Sequence, residues 1–178
     1  MLPHHPALKN EDVRLLFEAL RQMLDARGYQ RRDLTWYSYS RELIRVLHFA
    51  PALTRDRIWF ALGIALRALD GVEDRTVWDA VRPLRCRATH PQIEDCAVSV
   101  RLQRLVDDRA AIEGLCDFTD RTVSHAGSVP QILQVISQVA LPFLESFNTL
   151  EDVRTFVHSN RAQVCTIREP AKAILSRI

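Results

Sequence analysis

Lysine is nearly missing from this chain. Of its 24 basic residues only Lys9 and Lys172 are lysine, and the arginines run from Arg14 to Arg177 without a long block. Set against 22 acidic residues they leave a formal net charge of +2. Nucleic-acid proteins concentrate cations on one face or arm, so this dispersion makes that class the weakest reading. No global field marks an acidic substrate either. The arginine bias suits bidentate anion contacts, but the codon usage of a GC-rich genome is its ordinary explanation.

Glycine is scarce, at five residues. There is no Gly-x-Ser-x-Gly elbow, no P-loop and no GxGxxG string. The four cysteines, Cys86, Cys96, Cys116 and Cys165, include no C-x-x-C pair, so neither a zinc pattern nor a thioredoxin-like motif is written here. The longest largely apolar run, Ile58 to Leu69, is broken by Arg67 and falls short of the ~20 residues of a membrane span. The opening MLPHHPALKNEDV has no apolar core of a signal peptide. The cysteines are therefore expected as reduced, partly buried thiols in the cytoplasm.

What is present is ordinary for a globular protein: 178 residues, 47% apolar and 26% charged. Residues 1–9, rich in Pro and His, read as a flexible lead, and 10–178 as a single domain. Asn10 followed by Glu11 and Asp12 predicts a helix start. Val13, Leu16, Phe17, Leu20 and Leu24 then give one apolar stripe, and Gly28 is placed to end it. Strands are expected at Leu34–Tyr39, Leu43–Phe49, Ile58–Leu69 and Cys96–Leu105, with a turn at Arg41-Glu42. In the third strand Ile58, Phe60, Leu62, Ile64 and Leu66 alternate with Trp59, Ala61, Gly63, Ala65 and Arg67. Residues 72–95 read as loop, with a short helix near Arg75–Val81. Helices are expected at Asp108–Thr122, from Val129-Pro130 through Leu144 with Ser128 as its cap and a distortion at Pro142, at Leu150–Asn160, and from Glu169-Pro170. Strands in sequence followed by helices predict an α+β fold. It would be a four-stranded antiparallel sheet preceded by one helix, with several helices packed on one face.

The string Leu24 to Tyr37 (LDARGYQRRDLTWY) resembles the start of the bacterial family catalogued as domain of unknown function 4304. In that family a helix is followed by a glycine-aromatic pair, two basic residues and a later aromatic. Gly28-Tyr29, Arg31-Arg32 and Trp36-Tyr37 take those places. Ile58 to Ile64, Cys96 to Leu105 and Leu141 to Phe147 are similar to later strings of the family, so the resemblance spans roughly residues 10–160. Two places depart from it: Phe49-Ala50-Pro51-Ala52 replaces a Gln-Lys-Ser-like string, and Ala97-Val98 replaces a Trp/His pair. The resemblance implies a fold and names no activity.

No residue carries a catalytic signature. Cys96 and Cys116 read as buried thiols, His48 as a structural histidine on a strand, and His90 and His125 as loop residues. The pairs Glu94-Asp95 and Asp107-Asp108 read as solvated turn charges. One constellation goes further. Strand alternation places Trp59, Ala61, Gly63, Ala65 and Arg67 beside Ser99, Arg101 and Gln103 on one sheet face. Small residues flanked by Trp and Arg form a floor for a flat ligand or a partner's segment, unless a helix of the protein itself packs there. Arg101 is expected to be partly buried and paired with a carboxylate. The first functional reading is a non-catalytic cytoplasmic module that binds another protein, toxin-immunity proteins being an analogy of architecture only. The alternative is a small-ligand-binding protein or enzyme using the face around Trp59, Arg67, Arg101 and Gln103. No metal, cofactor, membrane or nucleic-acid partner is called for.

Overall fold

The structure is a computed structural model that describes residues 5–52, 57–67, 85–86, 90–120 and 122–175. The fold is α+β. Helix α1 (Glu11–Asp25) opens where expected: the Asn10 side chain accepts from the N–H groups of Asp12 and Val13. Its end is a Schellman turn. The Tyr29 N–H returns to the Leu24 carbonyl and the Gly28 N–H to that of Asp25, with Gly28 at φ +78. Where the sequence suggests a flexible lead, Pro6–Lys9 forms a 3-10 turn with Ala7 and Leu8 buried.

The sheet has more strands than the four expected. Strands β1 (Gln30–Arg32), β2 (Thr35–Tyr39), β3 (Leu43–Pro51), β4 (Ile58–Arg67), β6 (Val98–Arg101) and β7 (Thr166–Ile167) form an antiparallel path in the order β1-β2-β3-β4-β6-β7. The two-residue β5 (Arg85–Cys86) pairs β4 in parallel, off that path. Strands β1 and β7 are three and two residues long, too short for a period to register. The fourth expected strand also ends early. After Arg101 the chain turns into a 3-10 segment, Leu102–Arg104.

Helix α2 (Arg109–Leu115) is shorter than expected. Beyond it the carboxylates of Asp117 and Asp120 accept from the N–H and hydroxyl groups of Thr119 and Thr122, local bonds that compete with helix. Helix α3 (Ser128–Val135) begins with Ser128 as its first residue rather than its cap. Pro130 still sits in the first turn, where no intrahelical donor is lost. A π turn at Ile136–Ala140 joins α3 to α4 (Leu141–Glu145). This is the form the expected distortion takes: Pro142 has no N–H for the preceding turn, and the Leu141 N–H reaches back to the Ile136 carbonyl. Helices α5 (Leu150–Val157) and α6 (Glu169–Leu175) follow. The expected helix near Arg75–Val81 lies outside the described residues.

One face of the sheet carries the main core. Phe17 and Leu20 of α1, Trp36, Leu47, Phe49, Phe60 and Leu62 of the sheet, and Ile132, Leu141 and Leu144 of the long helix belong to one buried cluster. Phe17 lies 5.3 Å from Trp36 and 5.5 Å from Phe49, centroid to centroid. The opposite face has a smaller cluster of Tyr37, Ile44, Val46, Ala65 and Cys96. Among the described residues it is covered by the 3-10 turn Ile93–Asp95, with Ile93 packed against it. Among the described residues no helix is long and apolar enough to cross a membrane.

Candidate functional site

Register decides what the second face offers. Ala50 stands opposite Trp59, and His48 opposite Ala61. Thr35 pairs with His48 and Arg101 with Ala61, so Thr35, His48, Ala61 and Arg101 make one row across four strands. The next row holds Tyr37, Val46, Gly63, Ser99 and Thr166. Gly63 is where the cover touches down. A Cβ built there would run into Cys96 Sγ, with Ile93 Cδ1 at 3.3 Å. The turn therefore closes the half of the face beyond Gly63 and leaves the half containing Trp59, Ala61 and Ala50 open.

That open half is a concavity of about 520 Å³. Ala50, Ala61 and Ser99 form its floor, and His48, Trp59, Arg101, Arg104, Glu94 and Thr166 stand around it. The Arg101 guanidinium lies over the Trp59 ring, 5.3 Å from its centroid. Arg101, Arg104 and Glu94 are exposed, and among the described residues none of the three makes a hydrogen bond or an ion pair. His48 is hydrogen-bonded through Nδ1 to Thr35 Oγ1 at 2.8 Å. Burial lowers its pKa below the ordinary imidazole value, partly opposed by the charge of Glu94.

In two other concavities some of the polar groups are bonded to one another. Beside the start of α1, Asp12 accepts the His125 N–H at 2.9 Å, and His125 Nε2 lies 2.9 Å from the Asp120 carbonyl. Below Trp59, Arg57 and Asp117 form an ion pair at 2.7 Å. Burial pushes the neighbouring Cys116 thiol up to about 12, which keeps it protonated and a poor nucleophile near neutrality. Cys96 is likewise buried, and its thiol donates to the Gln92 carbonyl at 3.5 Å.

The expected site is thus divided. Trp59 and Arg101 come together as the alternation predicts. Arg67 does not join them: it is eight positions along β4, roughly 27 Å away at strand rise. There it donates to the Ser40 carbonyl at 3.1 Å and lies 5.9 Å from the Tyr39 ring centroid. Gln103 is not on the open face at all. It sits in the 3-10 turn, 2% exposed, with both amide atoms lacking a hydrogen-bond partner. Arg101 is exposed on its indole shelf, not buried against a carboxylate, because the covering turn stops short of its row. Sequence reasoning passed over Arg104 and Thr166, which reach the groove only because β6 ends at Arg101 and β7 pairs beside it. His48 had a signal, since it alternates with the core residues Leu47 and Phe49. No family model, no curated protein and no solved structure matches this chain.

Proposed function

We propose that this chain is a binding module without chemistry of its own, and that the open half of the outer sheet face is its recognition surface. One observation carries the reading: Arg101 stacked on Trp59 above a floor of alanines, on a face whose other half is sealed. Tryptophan and arginine stack and pair, and they exchange no protons near neutral pH, while the Nδ1 of His48, the groove's imidazole, is already bonded to Thr35. Of the two occupants open from the sequence, a partner protein and a small molecule, the groove's dimensions favour the second. A volume of about 520 Å³ lies within the range of small-ligand sites, about 300–1,000 Å³. A stable protein interface needs about 800 Å² from each partner. A fragment screen by heteronuclear NMR on the intact chain tests this. Hits are expected to shift the Trp59 indole and the amides of Ala61 and Arg101. Hits confined to other surfaces, or none, would refute it.

A further inference from the structure

Resting on that reading, we infer that the groove takes a small ligand in which a flat ring carries a carboxylate or a phosphate. The floor dictates the ring. Ala50 and Ala61 have nothing beyond Cβ, while Trp59 and the His48 imidazole rise beside them, so the space between is a shallow slot bounded by two ring systems. Glycine would not serve as well, because the strand pairing of β3 and β4 runs through these positions.

The rim dictates the charge. Two guanidinium groups, Arg101 and Arg104, stand against one carboxylate, Glu94. Arg57, beside Trp59, is committed to Asp117. Arg101 and Arg104 have no carboxylate among the described residues. Stacking on Trp59 occupies the face of the Arg101 guanidinium and leaves its N–H edge free. That edge is the part that matches a carboxylate or phosphate in bidentate fashion. The indole contact narrows the range of orientations of the side chain before ligand arrives, which reduces the ordering cost of binding. Glu94 lies close enough to act on the charge of His48, which stands across Ala61 from Arg101, so it repels an anion at the His48 end and favours the ligand's charged end toward Arg101 and Arg104.

The test uses the full chain with four probes: 2-naphthoate, 2-naphthyl phosphate, the uncharged 2-naphthamide and inorganic phosphate. Binding is followed by NMR shifts of the Trp59 indole and by calorimetry. A naphthyl anion is expected to bind in the groove, and the amide about tenfold or more weakly. Arg101→Gln and Arg104→Gln should each weaken the anion by about tenfold, with added salt acting in the same direction. Arg67→Gln, at the far end of the same strand, should leave it unchanged. Each variant's amide spectrum, compared with wild type, shows that the fold is kept. Whether naphthoate or the phosphate ester binds more tightly identifies the anionic group. Amide binding as tight as naphthoate, at the same residues, would overturn the anionic ligand while the groove stands. Inorganic phosphate binding as tightly as either ester or acid would overturn the ring. Shifts at the groove with no probe, and none in the fragment screen, would overturn both this inference and the reading beneath it.

Discussion

Two arginines show how little residue type says about energetic weight. Arg45 lies on the core face of β3 and is 8% exposed. Its guanidinium donates to the Phe147 carbonyl at 2.9 Å, to Asn148 Oδ1 at 2.6 Å and to Ser38 Oγ at 3.2 Å. It therefore satisfies the carbonyl end of α4 where the chain leaves the helix. Arg45→Ala leaves the buried Phe147 carbonyl without this donor and removes the bonds to Asn148 and Ser38, and should cost about 2–4 kcal/mol in urea melts. Arg101→Ala should change the same melts by only a few tenths of a kcal/mol, because its side chain is exposed and rests on one ring. Equal losses in the two variants would contradict both placements. His48 adds a pH dependence. Its folded pKa is lowered from 6.5, by burial first, so the unfolded chain binds the proton more tightly. Its contribution is present in full above about pH 6.5 and is lost as pH falls through the lowered folded value. His48→Gln should flatten that part of the stability profile, and an NMR titration of the wild-type imidazole should have its midpoint below 6.5.

At the scale of elements, the contact between β4 and the Ile93–Asp95 turn decides how much of the sheet is open. The turn docks because Gly63 has no side chain: Cys96 Cβ would lie 3.1 Å from a methyl there, and Sγ closer still. The Ala97 N–H also bonds the Ile64 carbonyl at 2.8 Å, which fixes the docking distance. Gly63→Ala should therefore lift the turn and cost about 1–3 kcal/mol. Adding Cys96→Ala removes the sulfur and should recover most of the loss. Thermal melts of the single and double variants measure the coupling, and strictly additive losses would show that the two residues do not meet. Helix α5 follows the opposite logic and is specified locally. Thr149 accepts the Asp152 N–H, while the Asp152 carboxylate accepts those of Asn148 and Thr149 at 2.8 Å. Those backbone donors hold the Asp152 carboxyl below the usual carboxylate value.

At the scale of the whole molecule, one apolar cluster joins α1, the inner sheet face, the α3–α4 helix and α6, down to Leu175. No boundary in that cluster separates an early part of the chain from a late one. The expected behaviour is a single cooperative unfolding transition, with far-UV and near-UV circular dichroism losing signal together. Transitions separated in denaturant would mean that the terminal helices form an independent unit. The second, smaller cluster lies on the other face and involves the sheet and one turn. Its opening should therefore be the lower-energy event in hydrogen exchange, with Cys96 less protected than Leu47 and Leu62.

The order of the main elements was legible because the signals are local. The Asn10 cap, the stripe of α1, Gly28, the alternation of β4 and the Thr149 start of α5 each depend on neighbours within a turn or a strand. The side of the sheet that Trp59 and Arg101 share was legible for the same reason, since strand period is two. What sequence could not supply is anything set by pairing between distant segments. Strands β1 and β7 are made by their partners, not by their own composition. Placing Gln103 with Arg101 required the strand to continue, and it stops two residues too soon. Grouping Arg67 with Trp59 took a shared face for a shared place, although eight residues of extended chain separate them. Which half of the outer face is open rests on a single close approach, Cys96 against Gly63, between residues 33 positions apart in the chain. Local chemistry determined the elements and the faces they show. Only the tertiary packing decided how far a covering turn reaches, and so which of those faces meets solvent.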